Sequence, residues 1–206
     1  MAEGDIPQAN EIEREAFPTQ WPPTSYKREL GGHLNHYYVI YEEGKEAPRR
    51  GNHESKDSLL PRLKGLWGGG KPPSVPAFKQ YLVGMVGIWH LYDEAHVISI
   101  AVRETYRRRG LGELLLITII EEAIRLGAYV VTLEVRVSNL AAQALYEKYG
   151  FEKVGIRANY YSNDSEDGYI MTTDRLTTAS YQALFQGLKE RFAQERGCLP
   201  SLQGET

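Results

Sequence analysis

One acidic side chain lies inside an otherwise apolar stretch of the sequence. Glu134 is the single carboxylate in the run from Val130 to Val137. Burying an ionisable group costs free energy unless the group has a partner or a chemical task, so Glu134 is a candidate catalytic residue. The structural alternative is that Glu134 faces solvent or pairs with Arg136, which is two residues further on and so on the same face of a strand.

A second candidate is a basic turn that contains glycine. Arg107, Arg108 and Arg109 are followed by Gly110 and Gly112. Glycine leaves backbone N–H groups accessible, and the start of a helix carries unpaired N–H donors and a partial positive charge. Such a turn at a strand-to-helix junction is suited to phosphate groups, so the sequence predicts a ligand that carries a pyrophosphate. The alternative is a solvated basic turn.

The elements around these residues form a strand, a helix and a second strand. The β-branched run 97–102 predicts the first strand, and apolar residues at helical spacing predict a helix from Leu111 to Leu126 that ends at Gly127. The run 129–137 predicts the second strand. A helix that joins two strands in this way makes them a parallel pair. Both candidate sites therefore lie on one βαβ unit.

The other segments predict further strands and helices around this unit. Their expected positions, in chain order, are two short helices within 6–32, the second capped by Thr24 or Ser25; a strand at 36–42; a hairpin of strands 80–90 and 95–102; a helix capped by Ser138 or Asn139 and ended by Gly150; a hairpin of strands 152–161 and 168–173; and an amphipathic helix within 177–196 that packs on the sheet. Glu121 and Arg125 are expected to pair along the central helix.

Residues 44–76 differ in composition from the rest of the chain. They are rich in Gly, Pro and basic side chains, and we interpret them as a mobile basic insertion in which 59–67 fit a short amphipathic helix. Gly65, Gly70 and Lys71 match part of a nucleotide-binding P-loop. Pro72 stands where that motif needs Ser or Thr, so we attribute the match to chance.

Composition excludes several classes of protein. With 206 residues, 42% hydrophobic and 25% charged, the chain is expected to form a single domain over 1–206, and a net charge of -3 gives no global reason to expect nucleic acid. Cys198 is the only cysteine, which excludes an internal disulfide. The histidines show no metal-binding spacing. We see no signal peptide or membrane span and expect a cytoplasmic protein.

Two motifs then indicate a family. Arg107-x-x-Gly110-x-Gly112 is followed by LEVRVSNLAAQALYEKYGF at 133–151, RANYY at 157–161 and the acidic pair Glu166 and Asp167. In these residues the chain resembles the GNAT acetyltransferases, and within them the RimI-type ribosomal-protein alanine N-acetyltransferases, although archaeal N-terminal acetyltransferases share much of the second motif.

The resemblance implies an α/β (α+β) GNAT fold. In that fold a mixed, mostly antiparallel sheet contains a central parallel pair joined by a βαβ crossover, and helices cover both faces. Family members start with a strand before the first helix, whereas only 1–5 precede Ile6 here. We therefore expect either a chain start further upstream or a sheet that lacks the first strand. The insertion and the helical extension at 177–206 also exceed the family core.

The resemblance also implies roles for individual residues. Acetyl-CoA is the implied co-substrate, with no metal; Glu134 is the implied general base, and Tyr146 the general acid that protonates the CoA thiolate. Tyr160 and Tyr161, with the 162–167 loop, would form one wall of a peptide slot, and the segment 17–21 the other. The implied acetyl-CoA residues are Ile100, Ala101, Val102, Arg107, Arg108, Arg109, Gly110, Leu111, Gly112, Glu113 and Asn139.

The implied reaction is acetylation of a protein α-amine, with the N-terminal alanine of a small-subunit ribosomal protein as the expected substrate. Glu166 and Asp167 either attract the ammonium group of the substrate or form a solvated turn. One alternative reaction uses a small amine or a lysine side chain. Another reading is a non-catalytic, ribosome-associated acyl-CoA-binding module whose basic insertion contacts rRNA.

Overall fold

A computed structural model describes residues 1–17, 24–47 and 80–196 of the chain. After a short 3-10 turn at Glu3–Asp5, its helices and strands follow one another in an order close to the one expected from the sequence. They are α1 (Ile6–Ala16), α2 (Tyr26–Glu29), β1 (Asn35–Glu46), β2 (Gln80–Leu91), β3 (Glu94–Val102), α3 (Leu111–Leu126), β4 (Val130–Arg136), α4 (Leu140–Lys148), β5 (Phe151–Tyr161), β6 (Glu166–Thr173) and α5 (Ala179–Arg196).

In the described residues the strands form one mixed sheet in the order β1-β2-β3-β4-β6-β5. Strands β3 and β4 are parallel, and every other neighbouring pair is antiparallel. The prediction of a parallel pair joined through α3 is confirmed, as are both hairpins. Because β6 inserts between β4 and β5, the second hairpin places β5 at the sheet edge.

The parallel pair separates soon after it starts. Its register runs from Glu94 opposite Val130 to His96 opposite Thr132 and then ends, although both strands continue. Immediately beyond, β3 contains an irregularity: Val97 pairs with β2 and Ser99 pairs with β2, while Ile98 between them has no partner in the register. A bulge bends its strand and increases the local twist. The bulge therefore lies where β3 turns away from β4.

Alternating side chains of the sheet pack against helices on both faces. One core cluster joins α3, α4 and α5 to Leu133, Val135 and Met171. The other joins α1 and α2 to Leu82 and Ala101. The two-sided layering expected of the GNAT fold is confirmed, and it explains why β4 is apolar on one face and carries Glu134 on the other.

The helix ends agree with the sequence in part. Gly127 has φ 80 after α3, as expected of a left-handed stop. Asn139 caps α4, since its side-chain oxygen accepts the Ala142 N–H at 3.2 Å. Ser25 stands at the start of α2 without a side-chain capping bond. The Thr24 hydroxyl donates to buried Glu13 instead, so the expected cap of α2 is wrong and Thr24 ties α2 to α1.

Two other expectations need correction. Strand β1 continues through Glu46, so residues 44–46 of the expected insertion belong to a strand. Residue 47 follows the strand. The remaining part of the insertion, which includes the expected helix and the glycine motif, lies within 48–79 and so outside the described residues. Arg125 pairs with Glu122, whereas Glu121 pairs with Lys189 of α5. These pairings differ because α5 draws Glu121 away from its own helix.

Helix α5 lies along helices as well as contributing to the sheet's core. Its buried side chains join the cluster of α3 and α4, the Tyr181 hydroxyl donates to the Tyr149 carbonyl at 3.2 Å, and Lys189 reaches α3. The expectation that this helix packs on the sheet is therefore too simple. No helix in the described part of the chain is long and apolar enough to cross a bilayer.

Candidate active site

A cleft of about 620 Å³ opens where β3 and β4 separate. Its walls include both strands, the end of α1 at Phe17, the start of α4 and the loop between β5 and β6. The cleft brings together six of the residues singled out from the sequence. These are Ile100, Glu134, Asn139, Tyr146, Tyr160 and Tyr161.

Glu134 is buried and surrounded by polar partners. Its side chain is 5% exposed, with one carboxylate oxygen 3.1 Å from His96 Nε2 and the other 3.2 Å from the guanidinium of Arg157. The Tyr160 hydroxyl lies close enough to this carboxylate that, after burial, the Glu134 charge raises the pKa of the hydroxyl. A buried carboxylate remains ionised only with such partners. The alternative in which Glu134 pairs with Arg136 or faces solvent is wrong.

Arg136 instead holds the loop that closes one side of the cleft. Its guanidinium lies 2.8 Å from Asp164 and 2.6 Å from Glu166, and it stacks over the Tyr161 ring at 4.0 Å. Although burial opposes it, the bonds to Glu166 and Asp164 raise the pKa of Arg136, and hydrogen bonding with Ser138, followed by that with Arg136, lowers the pKa of Glu166. Arg136 therefore fixes the position of the β5–β6 turn relative to β4.

The two acidic residues proposed to attract a substrate are engaged in the same turn. Glu166 accepts the Ser138 N–H at 2.7 Å, and Asp167 accepts the Asn159 N–H at 2.8 Å. Neither alternative from the sequence describes them fully, because both carboxylates have internal partners. Glu166 still lines the cleft, paired with Arg136.

Tyr146 occupies the opposite face of the cleft. It is 5% exposed, belongs to the core cluster of α3 and α4, and packs at 5.7 Å between ring centres against Phe151. Burial is the main cause that raises the pKa of its hydroxyl, and the nearby Tyr161 raises it further. Because the neutral form is favoured, the phenol retains its proton at neutral pH and above.

Tyr160 and Tyr161 form an edge-to-face pair at the mouth of the cleft. Their ring centres lie 5.1 Å apart. Burial raises the pKa of Tyr161 to about 12, and burial together with the negative charge of Glu134 raises the pKa of Tyr160. Both are placed where the sequence predicted a wall. On the other side Phe17 lines the cleft, while 18–21 lie outside the described residues.

Strand β3 offers an open backbone edge to the cleft. Ile100, Ala101 and Val102 pair with β2 on one side, and their other side faces away from β2 beyond the end of the β3–β4 register. An extended, amide-rich chain can add to such an edge as a strand does. Of these three residues only Ile100 lines the cleft, and Ala101 is buried in the α1 cluster.

The basic turn follows β3 and begins α3. Gly110 is left-handed at φ 85, and the first hydrogen bond of the helix runs from the Leu114 N–H to the Gly110 carbonyl at 2.9 Å. The N–H groups of Leu111, Gly112 and Glu113 precede that bond, so they are available to an anion. A Cβ added at Gly112 would meet nothing within 4 Å, which leaves the approach open.

The side chains of this turn are less directly arranged for phosphate than expected. Arg107 donates to the Val102 carbonyl at 3.4 Å, and Arg109 donates to the Thr105 carbonyl at 3.0 Å while stacking on Tyr106. Glu113 accepts from Lys148 and from Tyr149 at 2.7 Å. The turn itself does not line the described cleft; it lies one short segment beyond the open edge of β3.

Comparison with known proteins identifies the family. A model of the acetyltransferase (GNAT) family matches residues 56–151. A Bacillus subtilis protein provisionally assigned as a ribosomal protein bS18-alanine N-acetyltransferase is 33% identical over 168 residues, 81% of this chain and 87% of that protein. The chain belongs to the GNAT acetyltransferase family. It is therefore an N-acetyltransferase, as its motifs implied.

Two comparisons with Escherichia coli proteins agree. The ribosomal protein bS18-alanine N-acetyltransferase of strain K12 is 48% identical over 81 residues, which cover 38% of this chain and 55% of that protein. The crystal structure of the E. coli ribosomal-protein-S18-alanine N-acetyltransferase superposes with a TM-score of 0.61 at 28% identity, covering 87% of this chain and 92% of that chain. The fold and the RimI-type resemblance are thus confirmed.

GNAT acetyltransferases use acetyl-CoA, and this chain has features that fit it. The open edge of β3 suits an amide-rich arm, and the start of α3 suits a pyrophosphate. Asn139 lines the cleft, but its side-chain oxygen already caps α4. In the described residues no group of three potential ligands is arranged to hold a metal ion.

Sequence reasoning missed two partners of Glu134. Arg157 belongs to the RANYY motif and His96 to the strand predicted at 95–102, but neither was given a role. His96 reaches Glu134 because it stands opposite Thr132 at the last pair of the parallel register, and that register is set by packing rather than by local sequence. A polar residue in the apolar run 95–102 was the available signal.

Proposed function

We propose that this protein transfers the acetyl group of acetyl-CoA to the N-terminal α-amine of a protein, the substrate being the N-terminal alanine of a small-subunit ribosomal protein. One observation carries the proposal: Glu134 and Tyr146 both line the cleft, and they reach it from opposite faces of the sheet. The names of the B. subtilis and E. coli relatives support the choice of substrate.

Glu134 is the proposed proton acceptor. An α-amine has a pKa of about 7.7 to 8.0, so much of it is protonated at neutral pH and must lose protons before or during attack. Glu134 contacts Arg157, and His96 at 3.1 Å provides a second proton-accepting group in direct contact. The pair receives the proton on the α1 side of the cleft, where Phe17 and Tyr160 would flank the peptide.

Tyr146 is the proposed proton donor. Acetyl-CoA supplies the activated acetyl thioester, and the departing thiolate needs a proton. Tyr146 remains neutral because burial raises the pKa of its hydroxyl, and it lies on the α4 side of the cleft. The proposed acceptor Glu134 and the proposed donor Tyr146 therefore lie on different sides of the cleft, so that a proton does not pass directly from one to the other.

The residues that would hold acetyl-CoA form a continuous path. Ile100, Ala101 and Val102 would bind the pantetheine arm through their backbone, and Asn139 would contact the same region. The 107–113 turn would bind the pyrophosphate mainly through N–H groups, since two of its three arginines donate to backbone carbonyls of their own segment. This assigns Arg107, Arg109 and Glu113 supporting roles rather than direct ones.

A matched set of substrates tests the reaction. Thiol release should be fastest with a peptide that starts with alanine, slower with one that starts with a bulky residue, and near background with the alanine peptide blocked at its α-amine but carrying an internal lysine. Tandem mass spectrometry should place the acetyl group on the α-amine. Faster turnover of the blocked peptide or of a small polyamine would establish the alternative reaction instead.

The cellular substrate requires a separate experiment. Mass spectrometry of protein N-termini from cells with and without this gene should show one small-subunit ribosomal protein that loses its N-terminal acetyl group in the deletion. An unchanged ribosomal set would contradict the substrate assignment. Contact of the basic insertion with rRNA stays a prediction, since 48–79 lie outside the described residues. A cytoplasmic location also stays a prediction.

A further inference from the structure

Helix α5 reaches from the end of α4 to the start of α3. Near its beginning, Tyr181 lies within contact distance of Gly150, where an added Cβ would meet the ring at 3.2 Å. Lys189 then pairs with Glu121 halfway along α3. The buried side chains that hold this course repeat at helical spacing on one face of the helix. They are Tyr181, Phe185, Leu188 and Phe192.

The last residue of this helix lies against the basic turn. A Cβ added at Gly110 would stand 3.2 Å from Arg196 Nε, 3.3 Å from Arg196 Cζ and 3.5 Å from the Phe192 ring. Gly110 is favoured by its φ of 85, and the Arg196 guanidinium packs beside its backbone. The C-terminal extension thus delivers a cation to the start of α3.

Arg196 and Arg108 differ from the other cations around this turn, and Arg108 belongs to the turn itself whereas Arg196 comes from α5. Arg107 and Arg109 donate to backbone carbonyls, and Lys148 is paired with Glu113. Within residues 1–17, 24–47 and 80–196, no ion pair or hydrogen bond engages the Arg196 guanidinium. An arginine offers donors in a fixed fork that matches phosphate oxygens. The anionic neighbour Glu113 is already neutralised by Lys148 at 2.5 Å.

We propose that Arg196 of the C-terminal extension binds a phosphate group of acetyl-CoA beside Gly110, as a cation added to the α3 N-terminus from outside the βαβ unit. The inference rests on the proposed use of acetyl-CoA. The phosphate is either part of the pyrophosphate or the 3′-phosphate of the ribose, which share the same chemistry. In either case α5 acts as part of the acetyl-CoA site and gives the extension a function.

A purely structural role would leave different traces. A basic residue in the last turn of a helix interacts favourably with the helix dipole, so Arg196 could serve only to anchor α5. That role predicts a lower melting temperature for a substituted protein, with little change in affinity once the protein is folded. Binding of phosphate predicts an unchanged melting temperature and a weaker affinity for acetyl-CoA.

Calorimetric titration of the full chain with acetyl-CoA separates these outcomes. Arg196→Gln should raise the Kd about ten-fold, the size expected for one charge-assisted hydrogen bond, with an unchanged melting temperature. Arg196→Lys keeps the charge and should recover part of the loss. Arg191→Gln, an exposed arginine of the same helix, is the matched control and should bind as the wild type does.

Ligand variants identify the phosphate. If Arg196→Gln weakens acetyl-CoA but not acetyl-dephospho-CoA, the contact is with the 3′-phosphate; equal weakening of both assigns it to the pyrophosphate. Equal affinities of wild type and Arg196→Gln for acetyl-CoA would overturn the inference while leaving the proposed function intact. A wild type that binds no acetyl-CoA would overturn the proposed function itself.

Discussion

The two faces of the cleft are built in different ways. On the α1 side Glu134 contacts His96 and Arg157 and lies near Tyr160, so its surroundings are charged and polar. On the α4 side Tyr146 lies in an apolar core and its ring packs against Phe151. One face surrounds an acidic group with polar partners, and the other keeps a phenol neutral through burial.

This difference matches the two proton transfers that acetylation of an amine requires. A proton acceptor must be unprotonated although it is buried, which only nearby cations and donors achieve. A proton donor needs its proton retained, and exclusion of water achieves that without a partner. The strand alternation of β4 separates the two environments, because Leu133 and Val135 face the apolar side and Glu134 faces the polar one.

Removing the charge of Glu134 should have the largest effect. Glu134→Gln keeps the size of the side chain but abolishes its proton-accepting capacity, and we expect kcat to fall by about a thousand-fold. Steady-state thiol release with the alanine peptide measures it. Glu152→Gln, the same change at an exposed position of β5, should leave kcat unaltered. A loss below about ten-fold in Glu134→Gln would show that the polar face does not accept the proton.

Removing the hydroxyl of Tyr146 should have the next largest effect. Tyr146→Phe keeps the packing against Phe151, and we expect kcat to fall by about a hundred-fold with little loss of stability. The control is Tyr129→Phe, at a half-exposed tyrosine outside the cleft. An unchanged kcat in Tyr146→Phe would mean that solvent protonates the thiolate and that Tyr146 is an ordinary core residue.

The raised pKa of Tyr146 also predicts the pH dependence of kcat. The folded protein favours the neutral phenol, so the donor persists above the ordinary tyrosine pKa of about 10 and is lost only as the pH rises through the raised value. We expect no alkaline decline of wild-type kcat up to about pH 10, in a range where the protein remains folded. A decline centred near neutral pH would assign the donor role to another group.

The elements of the cleft and Glu134 itself were predictable from the sequence, whereas the partners of Glu134 were not. Helical spacing and terminal glycines predicted α3 from Leu111 to Leu126 as observed, and the strand run predicted β4 within one residue at each end. The contact between Glu134 and His96 depends on the parallel register and on the bulge at Ile98, which are set by the packed sheet. Likewise, nothing local in the sequence indicates that α5 places Arg196 at Gly110.

Substitution of His96 tests whether the acceptor is one residue or a pair. His96→Gln retains a polar side chain beside Glu134 but removes the imidazole, and we expect kcat to fall about ten-fold, with the Kd for acetyl-CoA unchanged. Glu94→Gln alters the other acid near His96, 3.9 Å from Nδ1, and should have no effect. If kcat is retained in His96→Gln, Glu134 accepts the proton without help from the imidazole.

Substitution of Arg157 should give the smallest effect on kcat, and it tests how the polar face receives the ammonium group of the substrate. Its guanidinium is 53% exposed and 3.2 Å from Glu134, so its ion pair is screened and weak. It occupies one side of the carboxylate that an incoming ammonium group would approach. Arg157→Met should therefore leave kcat within about three-fold and lower the KM for the peptide a few-fold, most clearly at low ionic strength.

Lys153→Met is the control for this change, because it removes a cation of the same strand that pairs with Glu147, and it should change neither kcat nor KM. A loss of kcat in Arg157→Met as large as that of Glu134→Gln would instead show that proton acceptance by Glu134 depends on the Arg157 guanidinium.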